Sequence, residues 1–319
     1  MDDFPLYERF PSLRAIPRVS LCTLPSPVRR VVLDGVELWI KLDGMNADLC
    51  GGNKARALEF LLGDVRPGDT ILTAGGEGST HVLATALHAR TPGASVVGIR
   101  WRHEMNPVAQ RVAATITSAC SASPVFANAT TAILRTQLMR LTRRFRYIPL
   151  GGSTPLGALA HVNAALELAA QIRTGELPAP ARVVAPLGSG GTVAGLSLGF
   201  AIAGLETVMI AVQVTPAIVA NRMHVRRLIS RTARLIEKIS GERIPRVPQR
   251  LFGIVHAAYG GAYGRPLPAA TAAARDLQSA TGIQLDDTYS AKAFLVALAV
   301  ARNADGPTLF WDTFDSRLI

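Results

Sequence analysis

The sequence predicts an α/β protein with mostly parallel, twisted sheets covered by helices on both faces, and three observations carry that reading. Strand-length apolar runs alternate with stretches of helical period along most of the chain. The hydrophobic fraction is 49% while aromatic residues make up only 6%. Such a balance of Ala, Val, Leu and Ile suits buried parallel strands under Ala-rich helices. Two glycine-rich segments fall where a strand gives way to a helix. With 319 residues, the chain is long enough for one large or two medium domains.

In chain order, RVVLDGVELWIKLD reads as two short strands around Asp34-Gly35, a dipeptide suited to a tight hairpin. Helix is expected at 53–62, strand at 70–74, helix at 79–90 and strand at 95–100. A helix at 107–119 precedes a short strand at 124–127 and a further helix at 130–143. The second half repeats the scheme, with helix at 155–173, strand at 182–186, helix at 192–203 and strand at 208–214. Helices at 216–239, 268–281 and 290–302 and a last strand at 308–311 complete it. Pro-bearing, linker-like stretches fall at 174–181 and 241–249.

No apolar run is long enough to span a bilayer, and the acidic, Pro-broken opening MDDFPLYERF does not read as a secretory signal. Cys22, Cys50 and Cys120 are sparse and in no metal-ligand pattern, which fits free thiols in a reducing cytoplasm. The net charge is +11, and much of it lies between Arg222 and Arg250. Nucleic acid could bind such a surface. However, Val225, Leu228, Ile229, Ala233, Leu235 and Ile236 recur there at helical spacing, so the arginines form the solvated face of an amphipathic helix.

Four segments call for a chemical reason. In Gly51-Gly52-Asn53-Lys54-Ala55-Arg56 the glycines permit a tight turn and Asn53 can cap a helix starting at Lys54. A lysine is unfavourable in a first helical turn. A surface lysine fits the segment taken alone; a Schiff-base amine of lowered pKa fits it too. Gly75-Gly76-Glu77-Gly78-Ser79-Thr80-His81 follows a strand and opens a helix, a place for an anion such as a substrate carboxylate, or for a plain connection capped by Ser79. Gly188-Ser189-Gly190-Gly191-Thr192 is a second such loop. It lacks the Lys of nucleotide-hydrolase phosphate loops, and Val193 stands where the dinucleotide fingerprint needs Gly or Ala, so it suits a phosphate monoester. Asp286-Asp287-Thr288-Tyr289-Ser290-Ala291-Lys292 opens a late helix, and Gly260-Gly261-Ala262-Tyr263-Gly264 sets a tyrosine on a turn.

Together, in order, GGNKARALEFLL, AGGEGSTHVLATA, PLGGSTPLGALAHVNAALEL, PLGSGGTVAGL, GGAYGRP and DDTYSAKA resemble the D-cysteine desulfhydrase / 1-aminocyclopropane-1-carboxylate deaminase family of pyridoxal-phosphate enzymes. The similarity runs over about 39–301. The resemblance implies the two-domain fold type II (tryptophan synthase beta-like), with residues 53–163 as a small inserted α/β domain, 1–52 and 164–319 as the large one, and the cofactor in the cleft between. It implies that Lys54 holds pyridoxal 5'-phosphate and moves the Cα proton, and that Gly188, Ser189, Gly190, Gly191 and Thr192 cradle the phosphate. Ser79, Thr80 and His81 would meet the substrate carboxylate, with Thr80 also next to the ring hydroxyl. Tyr263 and Tyr289 would face substrate or cofactor, and Ser290 would approach the pyridine nitrogen. A homodimer is implied as well.

The chain departs from that family at Gly78 (usually Gln), Thr80 (usually Asn) and Ala291 (usually Gly), and Asp312-Thr313-Phe314-Asp315 replaces a His-Thr-Gly-Gly pattern. A neutral Ser290, where the deaminase branch has glutamate, implies a weaker electron sink. The expected reaction is therefore β-elimination on a small amino acid, releasing ammonia and a 2-oxo acid. β-Replacement, cyclopropane deamination and a non-catalytic interaction protein are the other readings.

Overall fold

The computed structural model describes residues 4–142, 144–303 and 305–318, so Arg143, the end of one expected helix, lies outside the described residues. A short helix, α1 (Pro5–Arg9), precedes the hairpin of β1 (Val28–Leu33) and β2 (Val36–Leu42). Asp34 and Gly35 turn it with φ of 49° and 74°, the paired left-handed conformation a two-residue hairpin needs.

Then follow α2 (Asn53–Leu61), β3 (Thr70–Gly76), α3 (Thr80–His88), β4 (Ser95–Trp101), α4 (Pro107–Ala119), β5 (Val125–Phe126), α5 (Ala129–Thr142) and β6 (Arg146–Tyr147). The second half comprises α6 (Pro155–Arg173), β7 (Arg182–Leu187), α7 (Gly191–Ile202), β8 (Val208–Gln213) and α8 (Arg222–Ser240). It closes with β9 (Phe252–Val255), α9 (Pro268–Thr281), α10 (Ser290–Asn303) and β10 (Thr308–Asp312). Two sheets result, one of four strands in the order β5-β4-β3-β6 and one of six in the order β1-β2-β10-β7-β8-β9. Every pairing outside the hairpin is parallel.

Three expectations need correction. The helix expected from 216 begins at Arg222, because the Val219 and Ala220 N–H groups fold back onto the Pro216 carbonyl and Asn221 caps the helix through the His224 N–H at 2.8 Å. β6 and β9 were not expected; two and four residues are too short to show a period. α1, five residues long, escaped for the same reason.

α6 binds the two halves together. It packs on α7 and α2, and its Leu159, Val162 and Leu168 are fully buried in the core of the large sheet. It runs unbroken through residue 163. The approach of α6 and α7 is close enough that a Cβ at Gly195 would stand 2.4 Å from the His161 Cβ and 2.5 Å from the Ala158 carbonyl oxygen. On α8, Val225, Leu228, Ile229 and Ile236 are buried while Arg222, Arg227, Arg231 and Arg234 are exposed, as the period required. Parallel strands point their carboxyl ends one way. The loops after β3 and β7, both glycine-rich, are therefore set where open α/β sheets bind ligands.

Candidate active site

One cleft brings Lys54, Thr80, Gly188, Ser189, Gly190, Gly191, Thr192 and Tyr289 together, with Asn53, Ser153, Asp286, Thr313 and Phe314 also in its wall. Elements 134 residues apart in sequence, Lys54 and Gly188, thus line one space.

Lys54 is held there by a glycine turn. Gly52, with φ of 97°, is the residue before α2, not Asn53 as expected, and it makes no side-chain cap. Asn53 is released from capping to donate its side-chain amide to Thr192 Oγ1 at 2.9 Å, linking the lysine turn to the glycine loop. Among the described residues the Lys54 amine has no hydrogen-bond or ion-pair partner, and burial alone lowers it to about 8.

The glycine loop opens α7. Gly190 adopts φ of 93°, in the left-handed region, where a Cβ would also press on His224 and Val225 at 3.4 Å. Ser153 braces the loop from outside: its Oγ accepts from the Gly191 N–H at 3.0 Å and donates to Ser189 Oγ at 2.7 Å. His224 stands 3.1 Å from the Ser189 carbonyl. His161, held neutral by burial that pushes it to about 3, lies 3.4 Å from Thr192 Oγ1. The sequence reading did not single out Ser153, although it lies in the small-residue run Gly151-Gly152-Ser153-Thr154, a legible signal. His161 falls in the quoted segment PLGGSTPLGALAHVNAALEL, and His224 had no such signal.

Not every predicted residue reaches the cleft. Ser79 caps α3 by accepting from the Val82 N–H at 3.4 Å. His81 is buried, with Nε2 3.0 Å from Thr73 Oγ1, and burial followed by the Lys54 charge pushes it down to about 3. A neutral imidazole bonded to β3 offers no charge to a carboxylate. Thr80 does line the cleft. The Tyr263 and Tyr289 hydroxyls bond to each other, their rings 6.0 Å apart, and burial raises both, Tyr263 to about 12. His103, which no sequence feature marks, packs edge-on against Tyr263 at 4.9 Å.

The Asp286 carboxylate accepts the backbone N–H groups of Thr288, Tyr289 and Ser290 at 2.7–3.0 Å, pinning the start of α10. Ser290 is fully buried and donates to Asp312 Oδ1 at 3.0 Å. Behind α2 lies a buried charge network. Arg56 donates to Asp43 at 2.7 and 3.0 Å and to Glu167 at 2.9 and 3.0 Å, and Lys41 donates to Glu167 at 2.6 Å. Trp311 Nε1 adds a bond to Asp43 at 2.9 Å. Two cations and two carboxylates thereby lock β2, α2, α6 and β10 around the helix that carries Lys54.

The family model described as "Pyridoxal-phosphate dependent enzyme" matches residues 19–310. The chain belongs to this family. Among its relatives, the nocardicin C-9' epimerase of Nocardia uniformis subsp. tsuyamanensis is 34% identical, covering 95% of this chain and 94% of that one. The D-cysteine desulfhydrase of Salmonella schwarzengrund is 31% identical, covering 94% of each. A crystal structure titled as an ACC deaminase homologue superposes with a TM-score of 0.80 at 25% identity, covering 99% of this chain and 96% of that one. The fold is that of the fold type II pyridoxal-phosphate enzymes, as the sequence motifs implied.

The residues present fit the cofactor. A Cβ built on Gly188 would find only Thr215 Cγ2, at 3.9 Å, so the space it would fill is the cleft itself. Backbone N–H groups at the start of α7, the Ser189 and Thr192 hydroxyls and the positive end of the helix dipole form a donor set suited to a phosphate. The partnerless amine across the cleft suits the aldehyde.

Proposed function

We propose that this chain takes the Cα proton from a small amino acid with Lys54 and expels a β-substituent, a β-elimination that yields ammonia and a 2-oxo acid. One observation carries the reading: the Lys54 amine, without a partner among the described residues and lowered to about 8, shares its cleft with the loop of Gly188, Ser189, Gly190, Gly191 and Thr192. Pyridoxal phosphate, when bound, supplies the electron sink that makes a bond at Cα breakable. Lys54 holds the cofactor and then acts as base, a role that contributes about 10²–10⁴-fold when the amine is positioned and of suitable pKa. The phosphate rests on the glycine loop. Thr80 and the first N–H groups of α3 receive the substrate carboxylate, with Ser79 holding the helix start in place. Tyr289, backed by Tyr263, stands in the cleft wall as a proton carrier. The desulfhydrase name of a relative supports elimination.

A second reading rests on the tyrosine pair. Epimerisation begins with the same proton removal and needs a second group to return a proton. The two buried, mutually bonded hydroxyls are such a group, and one relative is named as an epimerase. The division into residues 1–52 with 164–319 and 53–163, with α6 as the shared spine across the cut, belongs to the proposal. So do a homodimer and a cytoplasmic setting, the latter supported by three free thiols. No helix among the described residues is long and apolar enough to cross a membrane.

The test uses β-substituted alanines of both hands in deuterated water with the cofactor-loaded protein. Elimination predicts 2-oxo acid and ammonia in equal amounts. Epimerisation predicts Cα deuterium with inversion and an intact side chain. Neither product nor exchange from any such substrate would sink both readings.

A further inference from the structure

Most buried carboxylates in this protein have a cation or several backbone donors. Asp43 and Glu167 share Arg56 and Lys41, Glu59 meets Arg18 and two N–H groups, and Asp286 takes three N–H groups at the start of α10. Asp312 is the exception. It is 3% exposed at the end of β10, and among the described residues its Oδ1 accepts only from Ser290 Oγ at 3.0 Å and the Phe314 N–H at 3.2 Å. No Lys, Arg or His side chain among the described residues pairs with it. The other charges that face it are Asp286, from the turn before α10, and Asp43, after β2, and both are negative. An ionised carboxylate so placed costs several kcal/mol unless a cation joins it.

Its position indicates which cation. Ser290 follows Tyr289 and Asp312 precedes Thr313; Tyr289, Thr313 and Asp286 all line the cleft. The Ser290–Asp312 pair therefore stands just behind that wall. In pyridoxal phosphate the ring nitrogen lies across the ring from the carbon joined to lysine.

We propose that Asp312, acting through the Ser290 hydroxyl, holds a proton on the pyridine nitrogen of the bound cofactor. Ser290 Oγ donates to Asp312, as the structure shows, and its lone pair accepts from the ring N–H. The carboxylate gains the positive charge it lacks, and the ring keeps its proton at neutral pH. No bond to carbon changes. Burial pushes the Asp312 carboxyl up to about 8 in the cofactor-free protein, so near neutral pH the acid already carries a proton to share. Asp312 does not touch the cofactor; it is a positioning residue for that proton. Ser290 stays the neutral group of the pair, and the acid sits one residue further back. The inference rests on the assignment of Lys54 and the glycine loop to the two ends of the cofactor.

The experiment loads the protein with cofactor labelled with ¹⁵N in the ring and follows the nitrogen resonance against pH in wild type, Asp312→Asn and Ser290→Ala. The expected result is a protonated nitrogen at neutral pH in wild type and a ring pKa lower by about 1–3 units in each variant, the size of shift one nearby opposite charge produces. Should D312N fail to fold or load, Ser290→Ala decides, since it leaves Asp312 and its Phe314 bond in place. A wild-type nitrogen without a proton, or variants that titrate like wild type, overturns the proposal while leaving cofactor binding intact. Absence of cofactor uptake by the wild type overturns both this proposal and the reading beneath it.

Discussion

A lysine in the first turn of a helix faces the positive end of the dipole, and burial disfavours its charge again. Both effects push the Lys54 amine the same way, and no carboxylate among the described residues opposes them. Only the neutral amine attacks an aldehyde. The rate at which cofactor-free protein joins pyridoxal phosphate should therefore rise with pH to a midpoint near 8, not near 10.5, as followed by the growth of visible absorbance. Linkage has the same sign. The folded amine gives up its proton near 8 and an unfolded lysine near 10.5, so the cofactor-free protein gains stability from this group as pH rises between them. Replacing Lys54 with Ala should abolish that absorbance and slow Cα-deuterium exchange by about 10²–10⁴-fold. At this scale Lys54 was legible because a charged residue stood where local physics disfavours it. Asn53 was misread as a cap because its partner, Thr192, is far away in the chain.

Among the elements, helix and strand positions followed the sequence closely; α4, α6 and α9 begin and end where the period put them. Pro at the first position of each marks the start, and Gly282 in the left-handed conformation ends α9. What the period does not reveal is how near two helices approach. Gly195 reads as one more small residue in an apolar helix, yet it sets the contact of α6 with α7. Gly195→Val should destabilise the protein by about 1–3 kcal/mol through overpacking, measured by denaturant unfolding. Gly190→Ala acts on the other end of the cleft. A left-handed residue with a Cβ costs about 1–2 kcal/mol, so cofactor affinity should fall roughly 5- to 30-fold with the fold intact, read by titration of the cofactor-free protein.

Across the whole molecule, the network of Lys41, Asp43, Arg56 and Glu167 balances two cations against two carboxylates in the interior. Removing one member leaves an unmatched buried charge. Glu167→Gln should cost about 3–5 kcal/mol, visible as a lower unfolding midpoint, with the cofactor-free protein more affected than the loaded one. None of these four residues stood out in the sequence, because each lies in a strand or helix where a charge normally faces solvent. The sequence by itself determined the order and type of the elements, the solvated face of α8, the glycine loops and the lysine, since periodicity, turn chemistry and an ill-placed charge are local properties of the chain. The tertiary structure decided which of these share a cleft, that His81 turns to β3 as a neutral ring, that Ser153 braces the loop, and that Asp312 stands behind Ser290. Those are contacts between residues far apart in the chain, and burial, which sets their charge states, exists only once the two sheets have closed around α6.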